Sequence, residues 1–181
     1  MRKLTCEPNV EVIGSIITTL LDNLQASETQ LYLAKHGFEE IDPNAWYSAS
    51  DWLNVLNDLG EHTNMTSNLV AIGMKVADHA ILPPQMQNAS FVDFLNFWNK
   101  IYHKQHRGGN IGAHIVGRMD ETQYRVVSNS LYPDDFVYGV GYGFARRFLP
   151  KGTYFTVKYE NANYRMDAGG ADKTVLIFQW E

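Results

Sequence analysis

Ile111-Gly112-Ala113-His114-Ile115-Val116-Gly117-Arg118-Met119 and Gln123-Tyr124-Arg125-Val126-Val127-Ser128-Asn129-Ser130 flank the short polar turn Asp120-Glu121-Thr122, and both runs read as β-strands of one hairpin. Tyr154 to Tyr159 and Thr174 to Trp180 form a second such pair. Between the pairs lies one helical segment, Asp134 to Leu149, entered through Tyr132-Pro133-Asp134-Asp135, where proline presets the first turn and the aspartates favour the positive end of the helix dipole. A helix linking two hairpins predicts an antiparallel ββαββ sheet with the helix packed on one face, an α+β arrangement over residues 110–181.

Residues 1–109 read as about five helices. Ile13, Ile16, Ile17, Leu20, Leu21 and Leu24 recur at three- and four-residue steps and predict a helix from Asn9 to Gln25. Ser27 with Gln30 is a capping box for a second helix that Gly37 ends. Ser48 caps a third carrying Trp52, Leu53, Val55, Leu56 and Leu59, and Thr63 or Asn64 opens a fourth that Pro83-Pro84 stops. Ser90 with Asp93 caps a fifth, with Phe91, Phe94, Leu95, Trp98, Ile101 and Tyr102 on its apolar side, and Gly108-Gly109 breaks it. No repeat or linker divides the 181 residues, so a single domain is expected, with the helical part roofing the sheet and a ligand site at their shared boundary.

Composition narrows the function classes. A hydrophobic fraction of 45% with 19% charged residues is that of a globular chain, and 13% aromatic residues favour a large core or an aromatic pocket. A net charge of −5, with no basic cluster beyond Lys100, Lys104 and Arg107, argues against a nucleic-acid footprint. The single cysteine, Cys6, excludes an internal disulfide and a multi-cysteine zinc site, and implies reducing surroundings. The start Met1-Arg2-Lys3-Leu4 lacks an apolar signal core and no run approaches a membrane span, so a cytoplasmic protein is expected and the sequons at Asn64 and Asn88 read as chance matches.

The strongest local candidate is Tyr102-His103-Lys104-Gln105-His106-Arg107-Gly108-Gly109. His103 and His106 are three apart at a helix end, where both can share a face and hold a ligand or haem iron; equally, they and Arg107 can complement the helix dipole. Trp98, Tyr102, His103, His106 and Arg107 are therefore the expected ligand-binding residues, with no metal site and no catalytic group. Gly139, Gly141 and Gly143 fall inside a helix and not after a strand, so they do not read as a phosphate loop; Gly139 and Gly143, four apart, read as a flat face that lets the helix lie close on the sheet. Met166 to Asp172 reads as a glycine-rich loop that could cover a pocket, and no local signature supports Ser-His-Asp catalysis.

The helical first half, the run from Phe94-Leu95 through His103, and the strand-strand-helix-strand order resemble the superfamily that includes haem nitric-oxide-binding domains, TRAPP transport-particle subunits and vinyl-reductase-type sensor domains; Trp46-Tyr47, His103 to Gly109, Tyr132-Pro133-Asp134-Asp135 and Ala145-Arg146-Arg147-Phe148 carry most of that resemblance. It implies a non-catalytic sensory or regulatory module with a small-molecule ligand between helices and sheet. Its haem members imply, as an alternative, a haem-based gas sensor with His103 as axial ligand, and its transport-particle members a dimeric assembly subunit. The Tyr-x-Ser-x-Arg motif that holds the propionates in haem members corresponds to Val127-Ser128-Asn129-Ser130-Leu131-Tyr132, which has no arginine.

Overall fold

The computed structural model describes residues 2–21, 26–60 and 65–181. In chain order its elements are β1 (Glu11–Ile13), α1 (Gly14–Leu21), α2 (Ala26–Lys35), β2 (Trp46–Ser48), α3 (Ala49–Gly60), α4 (Met65–His79), a 3-10 turn (Pro84–Met86), α5 (Phe91–Lys104), β3 (His106–Arg107), β4 (His114–Arg118), β5 (Gln123–Ser128), α6 (Asp134–Phe148), β6 (Phe155–Tyr159) and β7 (Thr174–Trp180). This is the expected α+β arrangement, a helical part followed by ββαββ. Leu24, Thr63 and Asn64 lie outside the described residues, as do the side chains of Ser27 and Gln30.

The four C-terminal strands form one antiparallel sheet in the order β4-β5-β7-β6. Its register pairs Tyr124 with Phe178, Val126 with Leu176 and Ser128 with Thr174, so the period-2 alternation of each strand puts these six residues on one buried face. That face is covered by α5 and α6, with the Phe178 ring 5.7 Å from Phe91 and 6.2 Å from Trp98. The predicted capping box of α5 is formed: Ser90 Oγ accepts from the Asp93 N–H at 3.1 Å and Asp93 Oδ2 accepts from the Ser90 N–H at 2.9 Å.

Two expectations are corrected. The first concerns Asn9 to Gln25, which is not one helix. Glu11–Ile13 is a strand at the centre of a second sheet, β2-β1-β3, where Val12 pairs with Tyr47 on one side and His106 on the other, and the helix starts only at Gly14. Val10 and Val12 are fully buried two residues apart, a strand spacing that the longer isoleucine and leucine stripe behind them hid.

The second correction concerns the glycines of α6. The glycine that faces the sheet is Gly141, outside the expected pair, where a Cβ would lie 2.7 Å from the Phe178 ring. Gly139 and Gly143 instead face α4: a Cβ on Gly139 would lie 2.2 Å from the Val70 carbonyl oxygen, and one on Gly143 would lie 2.9 Å from that of Met74. Gly73 of α4 completes the seam, with its Cβ position 2.3 Å from the Phe136 carbonyl. These glycines cost helix propensity, roughly 1 kcal/mol each relative to alanine, and the close backbone contact they permit offsets it. Arg147 ties the far end of the seam by donating to the Ala77 and Ala80 carbonyls at 2.8 and 3.0 Å, and Arg146 pairs with Asp78, so this basic pair serves the end of α4.

A cluster of charges anchors the start of α6. Asp134 and Asp167 exchange backbone hydrogen bonds, each carboxylate accepting the other residue's N–H at 2.8 and 2.6 Å, and Thr174 Oγ1 donates to Asp134 at 2.6 Å. Arg2 lies 3.2 Å from Asp167, and Arg165 lies 2.9 Å from Asp135. Burial, and then the neighbouring Asp134 charge, hold the Asp167 carboxyl above its ordinary range. The Met166 to Asp172 loop is thus pinned to α6. Among the described residues, no helix is long and apolar enough to cross a membrane.

The seam generates a prediction. Gly139→Ala should destabilise the fold by about 1–3 kcal/mol or more through overpacking, although alanine is the better helix former. Gly117→Ala, on an exposed strand position with its nearest contact at 3.9 Å, should instead leave stability unchanged or raise it by up to about 1 kcal/mol. Urea denaturation of the two variants side by side checks this.

Candidate ligand-binding site

A cavity of about 50 Å³ opens where the helical part meets the sheet part. Trp98, Ile101, Tyr102 and Gln105 reach it from α5 at positions i, i+3, i+4 and i+7, which is one helical face. Phe136, Val137, Val140 and Phe144 supply the α6 wall, Ile16 and Val76 come from α1 and α4, and His106, His114 and Tyr132 come from β3, β4 and the turn before α6. The half-exposed Val76, Ala80, Ile101 and Gln105 form its mouth, and the buried Trp98, His114, Tyr132 and Phe144 form its floor.

Of the residues expected at a site, the structure brings Trp98, Tyr102 and His106 to the cavity wall and leaves His103 and Arg107 exposed. The two histidines do not share a helical face as the spacing predicted. The reason is local: α5 ends at Lys104, Gln105 is its C-cap, and His106 already belongs to β3, so its ring turns inward while that of His103 stays on the solvent side. Arg107 pairs with Glu11 on the neighbouring strand and lies 4.5 Å over the Trp46 ring.

His106 is fully engaged. Its Nδ1 lies 2.8 Å from the Tyr102 carbonyl, which can only accept, so Nδ1 carries the proton. Its Nε2 lone pair must then accept from the Tyr132 hydroxyl at 2.7 Å. Burial lowers its pKa from 6.5 to about 4, opposed by the hydrogen bond to the Tyr102 carbonyl. Tyr102 in turn donates its hydroxyl to the Ile111 carbonyl and accepts from the Leu131 N–H, tying α5 to both ends of the first hairpin. Burial raises the pKa of both tyrosines, so both stay protonated.

His114 was not singled out by the sequence reading, and it is the polar group left over. Its ring stacks on Trp98 at 4.7 Å with an interplanar angle of 23° and meets Tyr102 edge-on at 4.9 Å. Its backbone N–H donates to Asn99 Oδ1 at 2.8 Å, but its Nδ1 is buried without a hydrogen-bond partner among the described residues. Desolvation, with smaller contributions from His106 and His103, lowers its pKa to about 3, so the ring is a neutral imidazole. The signal for it was present in the alternation: an inward position of an apolar strand, paired with Ser128, holds a histidine.

No family model matches the chain, and neither does any curated protein. Solved structures do match. An H-NOX protein from S. oneidensis in the Fe(II)NO ligation state is similar at a TM-score of 0.70 and 15% identity, over 93% of this chain and 99% of that one. An oxygen-binding H-NOX domain related to soluble guanylate cyclases, in its oxygen complex, matches at a TM-score of 0.63 and 16% identity, over 93% and 92% of the two chains. A structure described by the modulation of haem redox potential through porphyrin distortion matches at 0.63 and 16%, over 93% and 96%. At this identity the likeness establishes a shared fold.

The residues around the cavity do not fit a haem as they stand. Pockets for drug-sized ligands, themselves smaller than a porphyrin, run to roughly 300–1,000 Å³, against about 50 Å³ here. Among the described residues no lysine or arginine lines the cavity to meet two propionates, and the Nε2 lone pair of His106 is already used.

Two buried neutral histidines make stability depend on pH with a definite sign. Their folded pKa values, about 4 and about 3, lie below the ordinary 6.5, so below that pH the unfolded chain takes up protons first. This contribution is complete above about pH 6.5 and is lost as pH falls toward 4 and 3. Urea midpoints should therefore drop between about pH 7 and about pH 5, and the drop should be smaller in His114→Phe, which has one fewer group to protonate on unfolding.

Proposed function

We propose that this chain is a non-catalytic sensory module that holds a small, largely apolar molecule in the cavity between α5, α6 and the sheet, and reports its presence through those elements. The observation that carries the reading is the apolar cavity at the junction of the two halves, with the buried neutral imidazole of His114 in its lining. Catalysis fits less well, because a general base works best with a pKa near the operating pH and His114 lies far below it.

A haem-based gas sensor is the second reading. It is favoured by the neighbours' Fe(II)NO and oxygen complexes and by the free neutral imidazole of His114, which replaces the exposed His103 as the candidate axial ligand. The cavity volume and the absence of a propionate partner weigh against it.

Native mass spectrometry of the purified protein tests the first reading: the expected result is a co-purifying small molecule, and its addition back should raise stability by about 2.7 kcal/mol at a hundred times its Kd. A haemin titration tests the second. The expected result is no Soret band beyond that of free haemin; a band that disappears in His114→Ala would instead establish the gas-sensor reading.

A further inference from the structure

We propose that β4, the open edge of the four-stranded sheet, is an interface at which two copies of this chain pair antiparallel about a two-fold axis at Gly117, joining their sheets into one.

The phase of the hydrogen-bond ladder fixes which backbone groups are free. Met119 N–H donates to the Gln123 carbonyl at 2.9 Å and Asn129 N–H to that of Ala113 at 3.2 Å, so the odd-numbered residues of this stretch turn their peptide groups toward β5. His114, Val116 and Arg118 then turn theirs outward. Asn99 already takes the His114 N–H at 2.8 Å. Among the described residues, nothing takes the N–H or C=O of Val116 or Arg118. The opposite edge differs, because the outward carbonyl of Val157 in β6 accepts from the Tyr138 hydroxyl of α6 at 3.0 Å. One edge is capped by a helix and the other is open.

The free groups match a second copy of themselves. With the axis at Gly117, Val116 of each strand lies opposite Arg118 of the other, and their N–H and C=O groups pair in full while the occupied His114 N–H is left outside. Gly117 meets Gly117 at the closer, non-hydrogen-bonded position, and Ile115 meets Met119 on either side of it. Ile115 and Met119 are 65% and 54% exposed in the single chain, and each would shield the other. The cations near the axis are held away from it. Arg125, beside Gly117 on β5, is bound by Glu160 at 2.7 and 2.9 Å, and Arg118 Nε donates to the Asp120 carbonyl at 3.1 Å.

A strand of 5 residues buries far less than the roughly 1,600 Å² of a standard interface, so the association is weak and reversible. β4 also lines the cavity through His114, so interface and cavity share one strand.

Sedimentation equilibrium of the whole chain from about 10 μM to about 1 mM should show monomer passing into dimer, with no larger species because the β6 edge is capped. Over the same range, hydrogen exchange should slow at the Val116 and Arg118 amides. Ile115→Lys and Arg118→Pro, whose lost N–H points away from β5, should each weaken the dimer roughly tenfold or more. Tyr154→Lys, at a residue 68% exposed beside the β6 edge, should leave it unchanged. Should Arg118→Pro not fold, Ile115→Lys and the wild-type exchange rates decide.

A chain that stays monomeric at about 1 mM overturns the proposal. If a synthetic peptide spanning residues 115–119 then protects the same amides, the edge receives foreign strands instead. A dimer that persists in both variants, or that leaves the Val116 and Arg118 amides exchanging as in dilute solution, lies on another surface and overturns it equally. None of these outcomes bears on the small-molecule reading.

Discussion

The backbone contact between α4 and α6 is the constraint on which the rest of the structure depends. Gly73, Gly139 and Gly143 remove the side chains that would otherwise hold the two helices at an ordinary distance, and the carbonyls of Val70, Met74 and Phe136 occupy the space. Helix pairs separated by larger side chains leave room to slide or part, whereas this pair leaves none. One wall of the cavity is therefore fixed. Gly141, on another face of α6, lets the Phe178 and Trp98 rings approach the helix axis and carries the same closeness into the sheet and α5. The cavity owes its small volume to this tight frame.

The described lining of the cavity carries no carboxylate, ammonium or guanidinium group. His106 is locked between a carbonyl and a phenol, and its hydrogen bonds link α5 to the turn before α6. His114 gains only ring stacking in place of a hydrogen bond. The two histidines thus have opposite roles in the same pocket: one is consumed by the architecture, and the other is spare. Burial is the largest cause of neutrality in both, but only His106 has both ring nitrogens hydrogen-bonded.

Much of the architecture could be read from the sequence because its signals were local. The β4–β5 hairpin, the helix entry at Pro133-Asp134 and the Ser90–Asp93 capping box each depend on residues a few positions apart. The errors came from long-range choices. The strand Glu11–Ile13 exists because Trp46–Ser48 and His106–Arg107 flank it, and neither partner is visible from the isoleucine stripe alone. The spacing of Gly139 and Gly143 announced a flat face and pointed it at the sheet, whereas the surface that meets it is α4. Within the site, Trp98 and Tyr102 could be placed by helical period. Which histidine turns inward was decided by where α5 stops, and the value of His114 emerged only when its neighbours' hydrogen bonds were assigned.

The charge cluster at the start of α6 differs in kind from the ion pairs elsewhere on the molecule. Arg125–Glu160 and Arg146–Asp78 stand in water, where counterions at physiological ionic strength screen charges over about 8 Å. Asp134 is fully enclosed, Asp167 is 7% exposed at its side chain, and their mutual bonds run to backbone amides that no counterion replaces. Concentrated salt would therefore strip the surface pairs of their attraction while the carboxyl end of the sheet stays fastened to α6. The cavity's frame would persist in saline and dilute media alike.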